Sequence, residues 1–329
     1  MKTTVLGSYP KIPARSGPSV RSALARFERG EIGPRALHDT YREVTRRTVR
    51  LFRAAGVTRI TDGQIPWNDL TDPVVRDVDN LVSGGLERFF DNNFYYRQPT
   101  VVGRLQYQGG VLAEWTRLSV QESETPLKVA LCGPLTALAL VEDKSYGNPE
   151  TLLADLVEIL ALEAAAAARA GAVEIQWDEP AAVVNPPVSR AAAVDAWTRL
   201  VAANSQLEQS LAFYFGSAAP WLDSLPSIGA SRVYFDLVAD PRLVDRLAAD
   251  RWPFEVGLGL LDARSVRLED QAAVLVPLRA VAARQGPDRV WLHPNAGLEW
   301  LPPDRAEAKV RWLGALATRF AEEEDRPHA

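Results

Sequence analysis

The stretch Ala172–Pro187, AVEIQWDEPAAVVNPP, decides the fold. Val173, Ile175 and Trp177 make a short apolar run that ends in Asp178 and Glu179, with Pro180 next. Upstream, residues 149–171 carry Ala and Leu at helical spacing and close on Gly171. A helix, a short buried strand and acids at the strand's C-terminal lip form the repeating unit of a βα-barrel. In such barrels the chemistry sits at the C-terminal strand ends. On this reading Asp178 faces an active site. The same acids could instead cap a neighbouring element, and the tripeptide alone does not separate the two.

Outward from that unit the pattern repeats. Strands are expected at residues 3–7, 57–61, 127–131, 211–215, 231–235, 254–258 and 290–293. Helical spacing covers residues 20–29, 37–55, 188–206, 268–284 and 304–323. Between residues 66 and 120 lie an expected helix at 73–81 and the aromatics Phe89, Phe90, Phe94, Tyr95 and Tyr96. A hairpin is expected over residues 100–120, turning at Gly109-Gly110. Strands alternating with helices predict an α/β fold, a TIM (β/α)8 barrel spanning residues 1–329 as one domain, with a hairpin or loop insertion around 66–120. An open doubly wound sheet is disfavoured, because LGSYPKIP after the first strand contains no glycine-rich phosphate fingerprint.

Composition narrows the class. The 329 residues are 47% hydrophobic and 24% charged, with net charge -5. This is enough apolar material for a large core, and an acidic balance opposes a nucleic-acid-binding surface. The one Cys excludes a disulfide framework and any thiolate cluster. No apolar run is long enough to span a bilayer, and MKTTVLGSYP lacks a signal-peptide layout, so a cytoplasmic location with small-molecule partners is expected.

The expected strand ends hold Gly7-Ser8-Tyr9-Pro10, Asp62-Gly63-Gln64, Cys132-Gly133-Pro134, Asp178-Glu179-Pro180, Phe215-Gly216, Asp236, Asp262 and His293-Pro294-Asn295. Four ends carry acids and one carries a histidine, which together predict an acid-lined pocket. Asp178, Asp236, Asp262 and His293 are the catalytic candidates. His38, on an arginine-rich helix, and His328, in the tail, are read as solvated.

LGSYPKIP, TDGQ, CGPLTAL, IQWDEPA, VGLGLLDARS and WLHPNAGL, in this order, resemble the catalytic C-terminal domain of cobalamin-independent methionine synthase, above all its short single-barrel members. The resemblance runs from about Thr3 to Leu301 and implies the barrel shared with uroporphyrinogen decarboxylase. It implies a methyltransferase acting on homocysteine, with a 5-methyltetrahydrofolate or another methyl donor such as methylcobalamin as co-substrate. Ser8 would contact the substrate carboxylate and Asp178 the ammonium. Gln64 stands where the family has a glutamate, and Arg264 where full-length members carry a proton-relaying histidine. Trp67, Glu179, Tyr214 and Asn295 complete the substrate-binding candidates. A corrinoid protein or a second copy of the chain is the macromolecular partner the family leaves open.

Zinc is the departure. The family holds it with a His and a Cys two apart on one strand, a Glu on the next and a Cys after Asn-Pro. Here the corresponding strand reads Leu211-Ala212-Phe213-Tyr214-Phe215, Asp236 replaces the Glu, and Ala296 occupies the last position. Zinc needs about three protein ligands even at a catalytic site, so no metal or tightly bound cofactor is expected. Without it a thiol of pKa about 8.5 stays mostly protonated at neutral pH, which points to an acceptor that is already nucleophilic, an amine or an imidazole nitrogen. Phe213, Tyr214, Phe215, Trp177, Trp67 and Tyr234 would line the site in place of the metal, suiting a flat heterocycle or a methylated cation. Two other classes stay open: a methyl-carrier-binding protein without turnover, and a metal-free lyase or decarboxylase using Arg15, Arg104, Arg117 and Arg264 to grip carboxylates.

Overall fold

The computed structural model describes residues 1–13, 16–90, 92 and 94–324. Strand β1 (Lys2–Thr3) leads into helices α1 (Val20–Glu28) and α2 (Pro34–Ala54). The short α3 (Asp72–Asp77) opens a long hairpin, β2 (Val78–Arg88) and β3 (Tyr95–Tyr107), followed by α4 (Val111–Ser123). Next come β4 (Lys128–Cys132), α5 (Pro134–Leu140), β5 (Glu142–Asp143) and α6 (Pro149–Arg169). The quoted stretch supplies β6 (Glu174–Asp178) and α7 (Pro180–Val184), then α8 (Arg190–Ala203) and β7 (Glu208–Phe213). The chain closes with β8 (Arg232–Asp236), α9 (Leu243–Ala249), β9 (Glu255–Leu261), α10 (Gln271–Gln285), β10 (Val290–Pro294) and α11 (Pro303–Glu324).

Seven strands form one sheet in the order β1-β10-β9-β8-β7-β6-β4, and β2-β3-β5 form a second. The registered pairs β1 with β10, β10 with β9 and β6 with β7 are all parallel. Every residue of β4, β6, β8 and β10 is buried, as expected of parallel strands covered on both faces. The helices follow local rules. In α2 the buried residues Leu37, Val44, Thr48, Phe52 and their neighbours recur on one stripe. In α6 the Asn148 side chain accepts from the amides of Glu150 and Thr151, and Pro149 opens the helix.

Three expectations need correction. The strand expected at residues 57–61 makes no ladder and touches its neighbours through single bridges, Thr4 to Arg59 and Ile60 to Leu127. The hairpin expected over 100–120 is instead β2 paired with β3, and the residues after Gly109-Gly110 are helix α4. There Leu112, Trp115, Leu118 and Ser119 are buried at helical spacing, and Asp77 caps the helix by accepting from the amides of Val111 (2.9 Å) and Leu112 (3.1 Å). The helix expected over 73–81 ends at Asp77, where the backbone turns extended at Val78.

By internal contacts the chain divides into two compact units. The first comprises Met1–Pro66, Leu118–Lys128 and Phe235–Ala329, the second Trp67–Arg117 and Val129–Tyr234. Each has its own buried polar features. In the first, Lys128 is fully buried and donates to Thr4 Oγ1 at 2.9 Å. In the second, the start of β6 and β8 holds an ion pair, Arg232 Nη1 to Glu174 Oε2 at 2.7 Å, with both side chains nearly inaccessible. Ser210 and Tyr234 donate to the other Glu174 oxygen at 2.7 and 3.1 Å. A further buried carboxyl, Glu163 of α6, sits beside Asp77 and Tyr107, and burial pushes its pKa up to about 9.

Candidate functional site

In the first unit the ends of β8, β9 and β10 converge on Asp236. This carboxylate is almost fully buried, and its Oδ1 accepts from the amides of Val238 (3.1 Å) and Ala239 (2.9 Å) and from Asn295 Nδ2 (2.9 Å). Three N–H donors on one oxygen fix a carboxylate without any cation. Asn295 is itself oriented from both sides: its Oδ1 accepts from the Ala263 amide at 2.8 Å and its own amide donates to the Leu261 carbonyl at 2.8 Å. Asn295 thus ties the end of β10 to the ends of β8 and β9.

His293, one turn of strand before, is fully buried. Its Nδ1–H donates to the Pro294 carbonyl at 2.8 Å, and burial, with Lys128 nearby, pushes its pKa down to about 3. It is a neutral imidazole at physiological pH. Asp262 is half-buried and accepts from the Arg264 amide at 2.9 Å, while the Arg264 side chain is exposed. Behind Asp262 stands a bracket that sequence reasoning missed. Glu269 Oε1 accepts from the Asp262 amide at 2.8 Å and from the fully buried Lys309 Nζ at 2.5 Å.

Ser8 lies in the same unit, buried, its carbonyl accepting from the Leu298 amide at 2.9 Å. A Cβ at Gly297 would overlap the Ser8 hydroxyl, so only glycine lets the loop after β10 approach this closely. Gln64 is buried with φ of 52°, and its amide donates to Asp62 Oδ1 at 2.8 Å. Asp62 is buried with its other oxygen accepting from Ser119, and burial raises its pKa. A non-glycine residue in the left-handed region beside a buried acid is the kind of strained position that gathers at functional sites.

In the second unit, the pair Asp178-Glu179 divides. Asp178, at the end of β6, accepts from Gln176 Nε2 at 2.5 Å and is almost fully buried. Glu179, expected to bind substrate, is used structurally. Its oxygens accept from the Leu135 amide (3.1 Å), the Thr136 amide (2.9 Å) and hydroxyl (2.8 Å), and Trp197 Nε1 (2.7 Å). The carboxylate caps α5, whose N-terminal amides favour negative charge. Complete burial opposes those donors, and its pKa is raised to about 7.

The aromatic lining is also redistributed. Trp177 donates to Gln209 (3.1 Å), Phe213 packs edge-on against Trp197 (centroids 5.6 Å apart), and Tyr234 donates to Glu174, so these three serve packing. Trp67 is buried. Tyr214 and Phe215 lie just past β7, and Phe215 has a φ of 74°. Phe215 meets Tyr214 at 4.7 Å and Phe89, from the hairpin, at 6.2 Å. Phe89 also contacts Phe90 and Tyr96. The hairpin therefore contributes aromatics to the end of β7, a contact that no local sequence signal announces.

At the positions where zinc ligands were sought, the donor chemistry is poor. Ala296 and the hydrocarbon of Phe213 and Phe215 offer no lone pairs, and Asp236 Oδ1 already accepts three N–H bonds. Among the described residues no three His, Cys, Asp or Glu side chains are grouped to hold a metal ion. Cys132 is buried and its thiol pKa is raised well above its ordinary value by burial, which opposes thiolate formation. Of the arginines considered for gripping carboxylates, Arg104 pairs with Asp155 at 3.4 Å, Arg117 is exposed, and Arg15, like His328, falls outside the described residues.

Comparison with known proteins converges on one family. The model of the cobalamin-independent synthase catalytic domain matches residues 1–319. A methionine synthase of Sulfurisphaera tokodaii is 24% identical over 312 residues, covering 94% of this chain and 89% of that protein. A 5-methyltetrahydropteroyltriglutamate–homocysteine methyltransferase of Ralstonia pickettii is 27% identical over 336 residues, covering 92% of this chain but only 43% of that longer protein. The solved B12-independent methionine synthase of Shewanella sp. W3-18-1, in complex with selenomethionine, superposes with a TM-score of 0.81 at 19% identity and covers 98% of each chain.

Proposed function

Since the chain belongs to the family of cobalamin-independent synthase catalytic domains and is a methyltransferase of that family, we propose that it works without zinc, moving a methyl group between a carrier and a small amino-acid-like or heterocyclic substrate. The donor in this reading is a methylated folate, as the name of the Ralstonia relative suggests, or a methylated corrinoid. The barrel is read as closed by the segment carrying Arg59 and Ile60, whose bridges reach Thr4 on one side and Leu127 on the other.

The observation that carries the metal-free reading is the state of Asp236. In a zinc site this residue would give a lone pair to the metal; here Oδ1 receives three N–H bonds, one of them from Asn295. Such a carboxyl group is held in a fixed orientation, suited to accept a proton or to stabilise a cation that develops on a nitrogen nucleophile. His293, neutral and buried, fixes the backbone of Pro294 and thereby the approach of Asn295. In the first unit Ser8 offers a hydroxyl suited to a carboxylate; in the second, taken by itself, Asp178 offers a carboxyl group suited to an ammonium. Tyr214 and Phe215, with Phe89 behind them, give a methylated cation or flat ring an aromatic surface.

The test is transfer from methyltetrahydrofolate and from methylcobalamin to a panel of amine, imidazole and thiol acceptors, with metal analysis of the purified protein. Expected are substoichiometric zinc, turnover on a nitrogen acceptor that a chelator leaves unchanged, and a loss of at least a hundredfold in Asp236→Asn. Homocysteine methylation abolished by chelation, with one tightly held zinc per chain, would overturn the reading.

A further inference from the structure

Away from these strand ends, the first unit carries an open groove of about 640 Å³ between α2 and α11. Its origin is a helix crossing. A Cβ at Gly314 would overlap the Ala55 carbonyl, so α11 meets the end of α2 backbone to backbone there. Beside this crossing, the last two turns of α2 and the first turns of α11 leave a space walled by Arg47, Arg50 and Leu51 on one side and by Glu307 and Arg311 on the other. Tyr9 also lines this space, its ring set edge-on against Phe52 at 5.2 Å.

The lining is charged in one sense. Three arginines face one carboxylate, and that carboxylate, Glu307, is taken up by Arg311 one turn along the same helix, at 2.8 Å. Arg47 reaches only a backbone oxygen, the Pro18 carbonyl at 3.4 Å, and Arg50 has no carboxylate partner among the described residues. This contrasts with other arginines of α2: Arg46 and Arg42 pair with Glu122, and Arg53 with Glu124. Of the arginines of α2 that line the groove, Arg47 and Arg50, neither is paired with a carboxylate among the described residues. Guanidinium forks match carboxylate and phosphate geometry, and a neutral phenol beside them supplies a further donor. A neutral or cationic ligand would use none of these groups.

We propose that this groove binds a small polyanion, a ligand with two or more carboxylate or phosphate groups, through Arg47, Arg50 and Arg311 with the Tyr9 hydroxyl. Tyr9 directly follows Ser8, so an occupied groove bears on the loop that carries a substrate-binding candidate. The inference stands apart from the metal-free reading, because none of its residues lies among the proposed reacting groups.

Isothermal titration of the full chain with triglutamate and, separately, inorganic pyrophosphate tests it, with a neutral triglutamine peptide as control. Saturable one-to-one binding of at least one anion is expected, weakened tenfold or more by Arg50→Gln and by Arg47→Gln, and weakened further as salt is raised. Tighter binding of triglutamate identifies a carboxylate tail, and tighter binding of pyrophosphate a phosphate ester. Arg50 is exposed, so its variant should keep the circular dichroism of the parent. Absence of saturable binding by either anion, equal binding of triglutamine, or binding indifferent to both substitutions would overturn the proposal.

Discussion

Buried carboxylates at the two ends of the strands are satisfied in different ways. At the start of β6, Glu174 meets a guanidinium, a serine hydroxyl and a tyrosine hydroxyl, and both its oxygens are engaged. At the end of β8, Asp236 Oδ1 accepts from three N–H groups, two of the backbone and one of Asn295. The first arrangement neutralises a charge and closes the space around it. The second holds one carboxylate oxygen in a fixed orientation, which is what the proposed reacting centre would require. In barrels the strand starts answer to stability and the strand ends to chemistry, and the proposed site would follow that division, with different partners for the same functional group.

The largest expected effect at neutral pH breaks the closed arrangement. Arg232→Met should cost about 3–5 kcal/mol, because it leaves the Glu174 charge buried beside two hydroxyls. Urea unfolding measures it. The double variant Glu174→Leu, Arg232→Met should recover most of the loss, since apolar side chains of similar volume can replace a buried ion pair at little cost. A single-variant loss below about 1 kcal/mol would mean that the pair is no more than a surface salt bridge in effect.

A second effect, which grows with pH, concerns the protonation of Glu163. Asp77 receives two amide N–H bonds and caps α4, as Asp236 receives its donors; Glu163 beside it is paired with no cation among the described residues and holds its proton, with a pKa of about 9 against an ordinary 4.5. Because folding raises this pKa, its contribution to stability is complete below about pH 4.5 and is lost as pH rises toward 9. Glu163→Gln retains the neutral form at every pH. Between pH 5 and 9 the variant should therefore gain on the parent, by up to about 6 kcal/mol at the upper end. Parallel stability curves for the two proteins would show that Glu163 is ionised at neutral pH.

Much of this could be read in advance. Helices α6 and α11 were evident because long apolar stripes and a proline start survive any tertiary context. The positions of Asp178 and Asp236 at strand ends, and of Asn295 just past one, are legible because each closes or follows a short β-rich run. The limits of β7 were harder: Tyr214 and Phe215 continue its β propensity, yet the strand stops at Phe213. The β2–β3 hairpin was hidden because Ser83-Gly84-Gly85 and the left-handed Asn80 interrupt its alternation at shifts of register. Long-range partners left no local mark. The residues that donate to Glu179 lie 44 and 43 residues before it and 18 after it, and Lys309 lies 40 residues after the Glu269 it meets.

That last pair supplies the finest test of the contrast, since it is a buried ion pair at the chemical end of a strand. Glu269 accepts from both Lys309 and the Asp262 amide, so the cation acts on the loop through one intermediary. Lys309→Met keeps the volume of the stem and removes the charge. If the pair braces the loop, global stability should fall by only about 1–2 kcal/mol, because Glu269 is partly exposed and can recruit water. Hydrogen exchange at the Asp262 amide should accelerate at least tenfold, while the β9 amides of Val256 and Leu258 keep their protection relative to global unfolding. Equal acceleration at all three would place Lys309 with Arg232, as a residue that holds the core together. Acceleration confined to Asp262 would show that even an ion pair, when set behind a strand end, serves the position of the acid in front of it.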